Sequence, residues 1–486
     1  MHPSLARPRS PRHRAAALIM LLAVAATAAS AGAQTVDSTL RGRILSHLIA
    51  KRDTSYRYAA YIPRGYQGTH AVPLLLVLDP QGRADEALAR TAAAAERLGW
   101  IAMSSYDTRG DAPAAANQNI VNVMLSDAFT AFDLDTARIY VAGLSGTAND
   151  AWIFAYGALG HIAGILSADA ALPADSAWRR AHTGVPPFDV AMTAGRRSFG
   201  YDEVFTAAED LLADSAFHRM DTFSTGTDWP PEPVMAQTLG WLEARAMARH
   251  LRTFDRAFVD SVFAIDSAAA AALEAGGQPA RAADRWQNIA AAWAGTHDVA
   301  FANARVGALT AEPAVTRWRA ERDSLLAVTP AARTAIVATL VALRQRPGVP
   351  DLRRLTSELR IAQFQTWAAD SADSLRAEWA VRRLAEVYTR TSYYEPEAYM
   401  AVSDDARALA VLAIAAEIEP TSPQVCRERA RAYALRRESG RTLTELRCAL
   451  AGHTITLNEI RADPRYKFMA LRDDFLKLIA KPGGGN

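Results

Sequence analysis

The segment Arg138-Ile-Tyr-Val-Ala-Gly-Leu-Ser-Gly-Thr-Ala148 holds the residues best suited to chemistry. A β-branched run leads into Gly143-Leu144-Ser145-Gly146, and a helix-forming stretch follows at once. That is the sequence form of a nucleophile elbow, a strained strand-to-helix turn that exposes a serine hydroxyl. The chemistry it offers is acyl transfer, with Ser145 as candidate nucleophile and the Gly146 N–H as one oxyanion donor. Gly143 and Gly146 flank the strained residue, where a side chain would collide with the turn. Serine is a poor nucleophile at neutral pH. It needs an imidazole to take its proton and a carboxylate to orient that imidazole, and behind this motif they follow in the order acid, then histidine.

Residues from about Thr35 to His250 supply the elements that would position such a site. Strands are expected at Tyr56–Ile62, Leu74–Leu78, Trp100–Ser104, the run before Ser145, His161–Ser167, Phe188–Thr193 and Met220–Phe223. Helices are expected at Ala84–Leu98, Val121–Phe132 and Tyr201–Ala213. Alternating strands and helices predict a mostly parallel sheet covered on both faces, an α/β fold. From Leu251 the strand signals stop and helical periodicity runs to the end, with a break at Pro347-Gly-Val-Pro350.

The last third carries an internal repeat. Tyr399 and Tyr433, Leu412 and Leu446, and Ala415 and Ala449 are each 34 residues apart. Ala408 fills a small position in the first unit and Pro420 closes it; Thr442 stands at the small position of the second. These positions resemble the tetratricopeptide helix pair, which has that period, and an irregular helical bundle is the alternative. Cys426 and Cys448 fall on successive helices of one such hairpin, at a level where they could pair. A disulfide and two buried free thiols both remain open.

Composition narrows the partners. The chain opens with Arg7, Arg9, Arg12 and Arg14, then an apolar run to about Ala26 and a small-residue site at Ala31-Gly-Ala33. This reads as a signal peptide cleaved near Ala33, giving an exported protein, periplasmic or secreted. Without the four leader arginines the formal charge of +2 becomes −2, and no basic cluster invites nucleic acid. No later segment reads as long and apolar enough to cross a membrane. No Cys/His spacing resembles a metal site, and no cofactor is implied. The expected organisation is a signal peptide at 1–33, an α/β domain at 34–250, a helical region at 251–390 and repeats at 391–486.

An ordered series of pieces carries a more specific resemblance. These are Tyr61-Ile-Pro-Arg-Gly-Tyr66, the strand at Leu74–Leu78, Gly99-Trp-Ile101, Asp135-Thr-Ala-Arg-Ile-Tyr140, Gly143-Leu-Ser-Gly146 and Trp229-Pro-Pro231. Together they resemble the α/β-hydrolase fold, and within it secreted esterases related to polyhydroxybutyrate depolymerases and feruloyl esterases. In that family the histidine stands two residues before Trp-Pro-Pro; here Thr227 stands there. The family acid lies in a Gly-x-x-Asp-Phe-x-Tyr pattern; here Gly195-Arg-Arg-Ser-Phe-Gly-Tyr201 puts Ser198 in its place. The His-Gly-Gly oxyanion loop becomes Asp79-Pro-Gln-Gly82, where Pro80 has no N–H and Gln81 is left as the second donor beside Gly146. Thr147 replaces the last glycine of the elbow motif.

The resemblance therefore implies an esterase-like protein with a degraded triad, weakly active or non-catalytic. It would keep a pocket for an ester or acyl ligand and a helical repeat region for a protein or peptide partner. Two alternatives stand beside it. One is an active serine ester hydrolase with a relocated base, His218 being the candidate and Asp202, Glu203 or Asp228 the acid. The other is a binding scaffold built on the repeats. His161 and His182 are expected in a connection and a loop, and Trp229-Pro-Pro231 as a packing anchor.

Overall fold

The computed structural model describes residues 38–173, 176–346, 348–371, 374–452 and 454–480. The signal peptide and its cleavage site at Ala33 lie outside the described residues. The chain divides into two compact units, the first ending at Glu321 and the second beginning at Arg322.

The first unit is organised by one sheet of eight strands in the order β1-β2-β4-β3-β5-β6-β7-β8. These are β1 (Ile44–Ile49), β2 (Arg57–Tyr61), β3 (Val72–Leu78), β4 (Ile101–Ser105), β5 (Leu134–Leu144), β6 (Ile162–Ala168), β7 (Asp189–Gly195) and β8 (His218–Phe223). β1 and β2 pair antiparallel, and every pairing from β4 to β8 is parallel. This is the mostly parallel sheet of the α/β-hydrolase type. All seven residues of β3 are buried, as expected of a central strand covered on both faces. The edge strand β1 was not legible in the sequence: it is half exposed, breaks register between Leu45 and Leu48, and has His47 at positive φ.

The crossover helices are α1 (Ala84–Leu98), α2 (Ala114–Ala131), α3 (Gly146–Gly157), α4 (Ser176–Ala181), α5 (Tyr201–Ala213) and α6 (Glu232–Ala248). α1 ends where Gly99 takes a left-handed conformation (φ 71°) and its N–H returns to the last turn. Parallel strands end at one edge of the sheet, where crossovers leave loops free to build a site. At that edge Leu144, Ala168, Thr193 and Asp221 lie in register on β5, β6, β7 and β8.

The first unit extends past the boundary expected at residue 250. Helices α7 (Arg256–Ala275), α8 (Pro279–Trp293) and α9 (Ala300–Thr310) belong to it. Trp241 Nε1 donates to the Ala292 carbonyl (2.8 Å) and Gln237 Nε2 to the Val262 carbonyl (2.7 Å), both buried. Periodicity changes at residue 250, but the core does not. Trp241, Val262, Trp286 and Trp293 share one apolar cluster with Leu75, Leu166 and Ala191 of the sheet.

A single 33-residue helix, α10 (Pro313–Gln345), spans the unit boundary. It corrects the expectation that no later segment could cross a membrane. One 18-residue window has a mean hydropathy of 1.7, so by length and composition the helix qualifies. In the second unit one of its faces, with Ile336, Leu340 and Leu343, packs into a core that includes Phe364, Trp379 and Val387.

The second unit is helical throughout its described residues, with α11 (Leu352–Glu358), α12 (Ile361–Ala368), α13 (Ser374–Thr389), α14 (Glu395–Ala401), α15 (Asp405–Ile418), α16 (Pro423–Leu435), α17 (Ser439–Ala451), α18 (Leu457–Ala462) and α19 (Asp473–Ile479). α15 and α17 begin 34 residues apart, at Asp405 and Ser439, and α14 and α16 end 34 apart, at Ala401 and Leu435. Ala408, Leu412, Ala415, Thr442, Leu446 and Ala449 are all buried. Thr442 is tolerated at its small position because its hydroxyl donates to the Glu438 carbonyl one turn back (2.9 Å). Cys426 and Cys448 form a disulfide joining α16 to α17, with Cα atoms 5.9 Å apart. Closing a loop of that sequence separation (22) contributes about 3 kcal/mol by restricting the unfolded chain.

Candidate active site at the elbow

Ser145 stands between β5 and α3 with φ 53° and ψ −122°, a left-handed backbone that L-residues rarely adopt. The flanking glycines are sterically required. A Cβ on Gly143 would lie 2.2 Å from the Thr147 carbonyl oxygen, and one on Gly146 2.1 Å from that of Gly110. Thr147 explains the missing last glycine of the motif. Its buried hydroxyl lies 2.5 Å from the Leu78 carbonyl and 3.1 Å from the Leu144 N–H, tying the end of β3 to the elbow. Ser145 itself is half-buried, and its hydroxyl has no hydrogen-bond partner among the described residues.

The loop after β3 is organised by Asp79, which is fully buried. Its Oδ1 accepts from the Gln81 N–H (2.8 Å) and the Arg83 N–H (3.1 Å). Its Oδ2 accepts from Arg83 Nη2 (3.0 Å) and from Trp229 Nε1 (2.9 Å). The Gln81 N–H, expected as an oxyanion donor, is thus engaged by the Asp79 carboxylate. The Gly146 N–H makes no hydrogen bond among the described residues. Trp229 is the packing anchor that its sequence context implied.

On the other side of the elbow, Asn117 pins the loop after β4. Its side chain accepts from the Arg109 N–H (3.2 Å), and its Nδ2 donates to the Arg109 carbonyl (2.7 Å) and to Asp150 Oδ2 (2.6 Å). Burial pushes the Asp150 carboxyl up to about 6, with the Asn117 bond pulling the other way. Gly110 is held against the elbow in this way, its N–H bonded to the Pro80 carbonyl (2.9 Å).

The two positions read as replaced acid and base do meet. Ser198, in the turn after β7, is buried, and its Oγ lies 2.7 Å from Thr227 Oγ1 in the exposed loop after β8. The Gly200 N–H donates to the same Ser198 oxygen (3.1 Å). The two hydroxyls thus form one polar contact between the turn after β7 and the loop after β8. Neither group can hold a proton taken from Ser145 near pH 7.

His218 is not brought to the site, which corrects its candidacy as a relocated base. It pairs with Val190, which pairs with Ile165, which pairs with Val141, four residues before Ser145. That puts it about 13 Å down the strands and three strands, about 14 Å, across the sheet. It is buried, and Nδ1 accompanies the Ala216 carbonyl (2.9 Å). His161 lies in the turn before β6, and His182 stacks on Trp178 with its Nδ1 2.8 Å from the Trp178 carbonyl. Asp202 and Glu203 lie in the first turn of α5. The Asp228 carboxylate takes Arg90 (3.2 Å) and the Trp229 N–H (2.8 Å).

One residue at this edge escaped the sequence reading. Asp169 follows β6 directly, and the Ser145 N–H donates to the carbonyl of its neighbour Ala168 (2.8 Å). Asp169 has φ 52° and is buried. Its Oδ1 accepts from the Gly195 N–H (3.0 Å) and its Oδ2 from the Asp228 N–H (3.1 Å). Burial pushes its carboxyl up to about 8; the two N–H groups and the nearby Ser198 hydroxyl pull it down, and the Asp228 charge adds to the rise. The available signal was positional: an acid closing a strand beside the elbow strand, at the carboxyl edge of the sheet. Among the described residues no group of His, Cys, Asp and Glu could hold a metal ion.

No protein-family model matches the chain, and no curated protein matches it. Similar solved structures include a thermostable esterase (12% identity over 42% of this chain and 64% of that chain, TM-score 0.32). This chain thus spans just under two thirds of that protein's length. Others are S-formylglutathione hydrolase from Staphylococcus aureus (12% identity, 42% of this chain and 97% of that chain, TM-score 0.33) and an esterase from Mycobacterium marinum (16%, 48% and 90%, TM-score 0.33). The fold assignment rests on the strand order and register given above.

Proposed function

We propose that the chain is an exported, esterase-like protein whose triad has degraded, leaving a site that binds an ester or acyl ligand with little or no turnover. The observation that carries this is the bond between the Ser198 and Thr227 hydroxyls, in the place where acid and base would meet. The unpartnered Ser145 hydroxyl supports it, because an unactivated serine is a hydrogen-bonding group before it is a nucleophile. Export is supported by the leader composition and by the Cys426–Cys448 disulfide, which needs an oxidising compartment.

The test uses full-length protein expressed with its own leader and recovered from the periplasm, where its first residue should be Gln34. A fluorophosphonate probe is expected to leave Ser145 unlabelled. Short p-nitrophenyl esters are expected to turn over no faster than with Ser145→Ala. Labelling, together with turnover that Ser145→Ala abolishes, would instead establish an active hydrolase with a base outside the expected positions.

For the helical region we propose a protein- or peptide-binding role built on tetratricopeptide-like pairs. Its support is the 34-residue recurrence of helix ends in α14–α17. Affinity capture with the full chain that recovers no partner would remove this second reading.

A further inference from the structure

We propose that Arg109 is the anion anchor of the elbow site, so that the ligand is an ester or acyl compound carrying a free carboxylate. The proposal rests on the reading above that the site binds an ester or acyl ligand, and it adds that ligand's charge. Arg109 lies in the loop after β4, and three successive residues of that loop are tied down. The buried Thr108 hydroxyl donates to the Asp79 carbonyl (2.8 Å). The Arg109 N–H and carbonyl both bond the side chain of Asn117, which is fully buried, and the Gly110 N–H donates to the Pro80 carbonyl. Gly110 in turn meets the elbow. A Cβ on Gly146 would lie 2.8 Å from the Gly110 Cα, so the two backbones touch. Arg109 and Ser145 are the immediate neighbours of these two glycines.

The side chain is fixed as well as the backbone. Arg109 Nη1 donates to the Tyr106 carbonyl (2.9 Å) and the Thr108 carbonyl (2.7 Å), which uses both of its hydrogens. Gly82, with φ 69°, makes room for it, since a Cβ there would lie 2.3 Å from Nη1. The guanidinium therefore sits against the loop after β3. Both of its partners are neutral carbonyls, so its positive charge is left uncompensated. Nε and Nη2 make no hydrogen bond or ion pair among the described residues, and the residue is exposed. Asp111, two residues on, makes no ion pair with it among the described residues. Arg83 and Arg90, by contrast, are paired with Asp79 and Asp228. The free edge of Arg109 offers two parallel N–H donors, the fork that a planar carboxylate accepts bidentately. Because the fork is already held, a ligand that meets it loses little affinity to ordering the side chain.

The experiment measures dissociation constants by ligand-observed NMR on the full chain recovered from the periplasm, near pH 7. Its probes are two methyl esters of matched size and shape, monomethyl succinate and methyl succinamate, which end in a carboxylate and in a neutral amide. Wild type should bind the carboxylate ester on the order of 10-fold more tightly. Arg109→Gln should abolish that preference and leave the affinity for the amide ester largely as it was. A merely structural Arg109 gives a different result: its replacement loosens the loop and weakens both esters together. Should Arg109→Gln fail to fold, Arg109→Lys decides, since it keeps the charge, loses the fork and should cut the preference to about 3-fold or less. The anchor is overturned, with the ligand-binding reading left standing, if wild type binds both esters equally or if the folded variants keep the full preference. A parallel loss of both affinities overturns it likewise. Binding of neither ester by wild type overturns both readings. Hydrolysis by wild type would overturn the degraded-triad reading alone, the preference then being read from KM.

Discussion

Replacing Arg219 with methionine is expected to destabilise the first unit by about 3–5 kcal/mol, the range for breaking a buried ion pair from one side. Arg219 on β8 is fully buried. Its guanidinium forks onto Asp221 (2.5 and 3.0 Å) and Asp266 (2.5 and 2.7 Å). Arg285 of α8 reaches the same two carboxylates, and Trp293 Nε1 and Thr238 Oγ1 satisfy further lone pairs. Burial alone would raise both carboxyls. The two guanidinium groups outweigh it and hold Asp221 and Asp266 below the usual carboxylate range. Removing Arg219 leaves two buried anions sharing one cation. Methionine fills much the same volume, so the loss is electrostatic rather than a cavity. Hydrogen exchange of the β8 amides under denaturant reads the effect on this unit alone. A change below about 1 kcal/mol would show that water reaches the cluster and that it contributes little.

The same network shows where sequence reading stops. The hydrophobic period gave β3, and it placed the helices at Ala84–Leu98 and Tyr201–Ala213 at their observed ends, because those segments answer to local rules. Arg219, Asp266 and Arg285 lie on a strand and two helices distant in sequence, and nothing in their spacing says that they meet. Hence helices α7 to α9 read as a separate region when their polar anchors belong to the sheet. At the site, Ser198 and Thr227 are legible because neighbouring residues index their positions, Gly195 for one and Trp229-Pro-Pro231 for the other. Asp169 had no such index, since an aspartate after a strand is an ordinary turn residue. Gln81 departs from its expected role for a related reason. Sequence shows that an N–H exists, but not that Asp79 two residues earlier folds back to take it. For His218, place in the chain points toward the site loop, whereas register decides which edge of the sheet a strand residue lies near.

The stability of the first unit is expected to fall as pH rises from about 6.5 to 8, and Asp169 is the group responsible. Its carboxyl lies near 8 in the folded chain, raised chiefly by burial, against about 4 unfolded. A raised carboxyl means that the native state holds a proton the unfolded state has released. Its contribution is complete below pH 4 and is lost as pH climbs through 8, at up to about 1.4 kcal/mol per pH unit. Asp150, raised to about 6, acts in the same sense but is spent by about pH 6. Burial lowers His218, which acts in the opposite sense and only below about 6.5. Asp221 and Asp266 are depressed, so their contribution is lost only toward low pH. The interval from 6.5 to 8 therefore belongs to Asp169. Differential scanning calorimetry across it should give a falling Tm in wild type and a flat one in Asp169→Asn. The variant should also start about 1–3 kcal/mol lower at pH 5, because an amide nitrogen cannot accept the N–H of Gly195 or Asp228. The slope and the offset thus separate two roles of one side chain, since the slope reports its proton and the offset its hold on the two loops. A wild-type Tm that stays level across the interval would mean that the carboxyl is already ionised in the folded state, with its N–H donors outweighing burial.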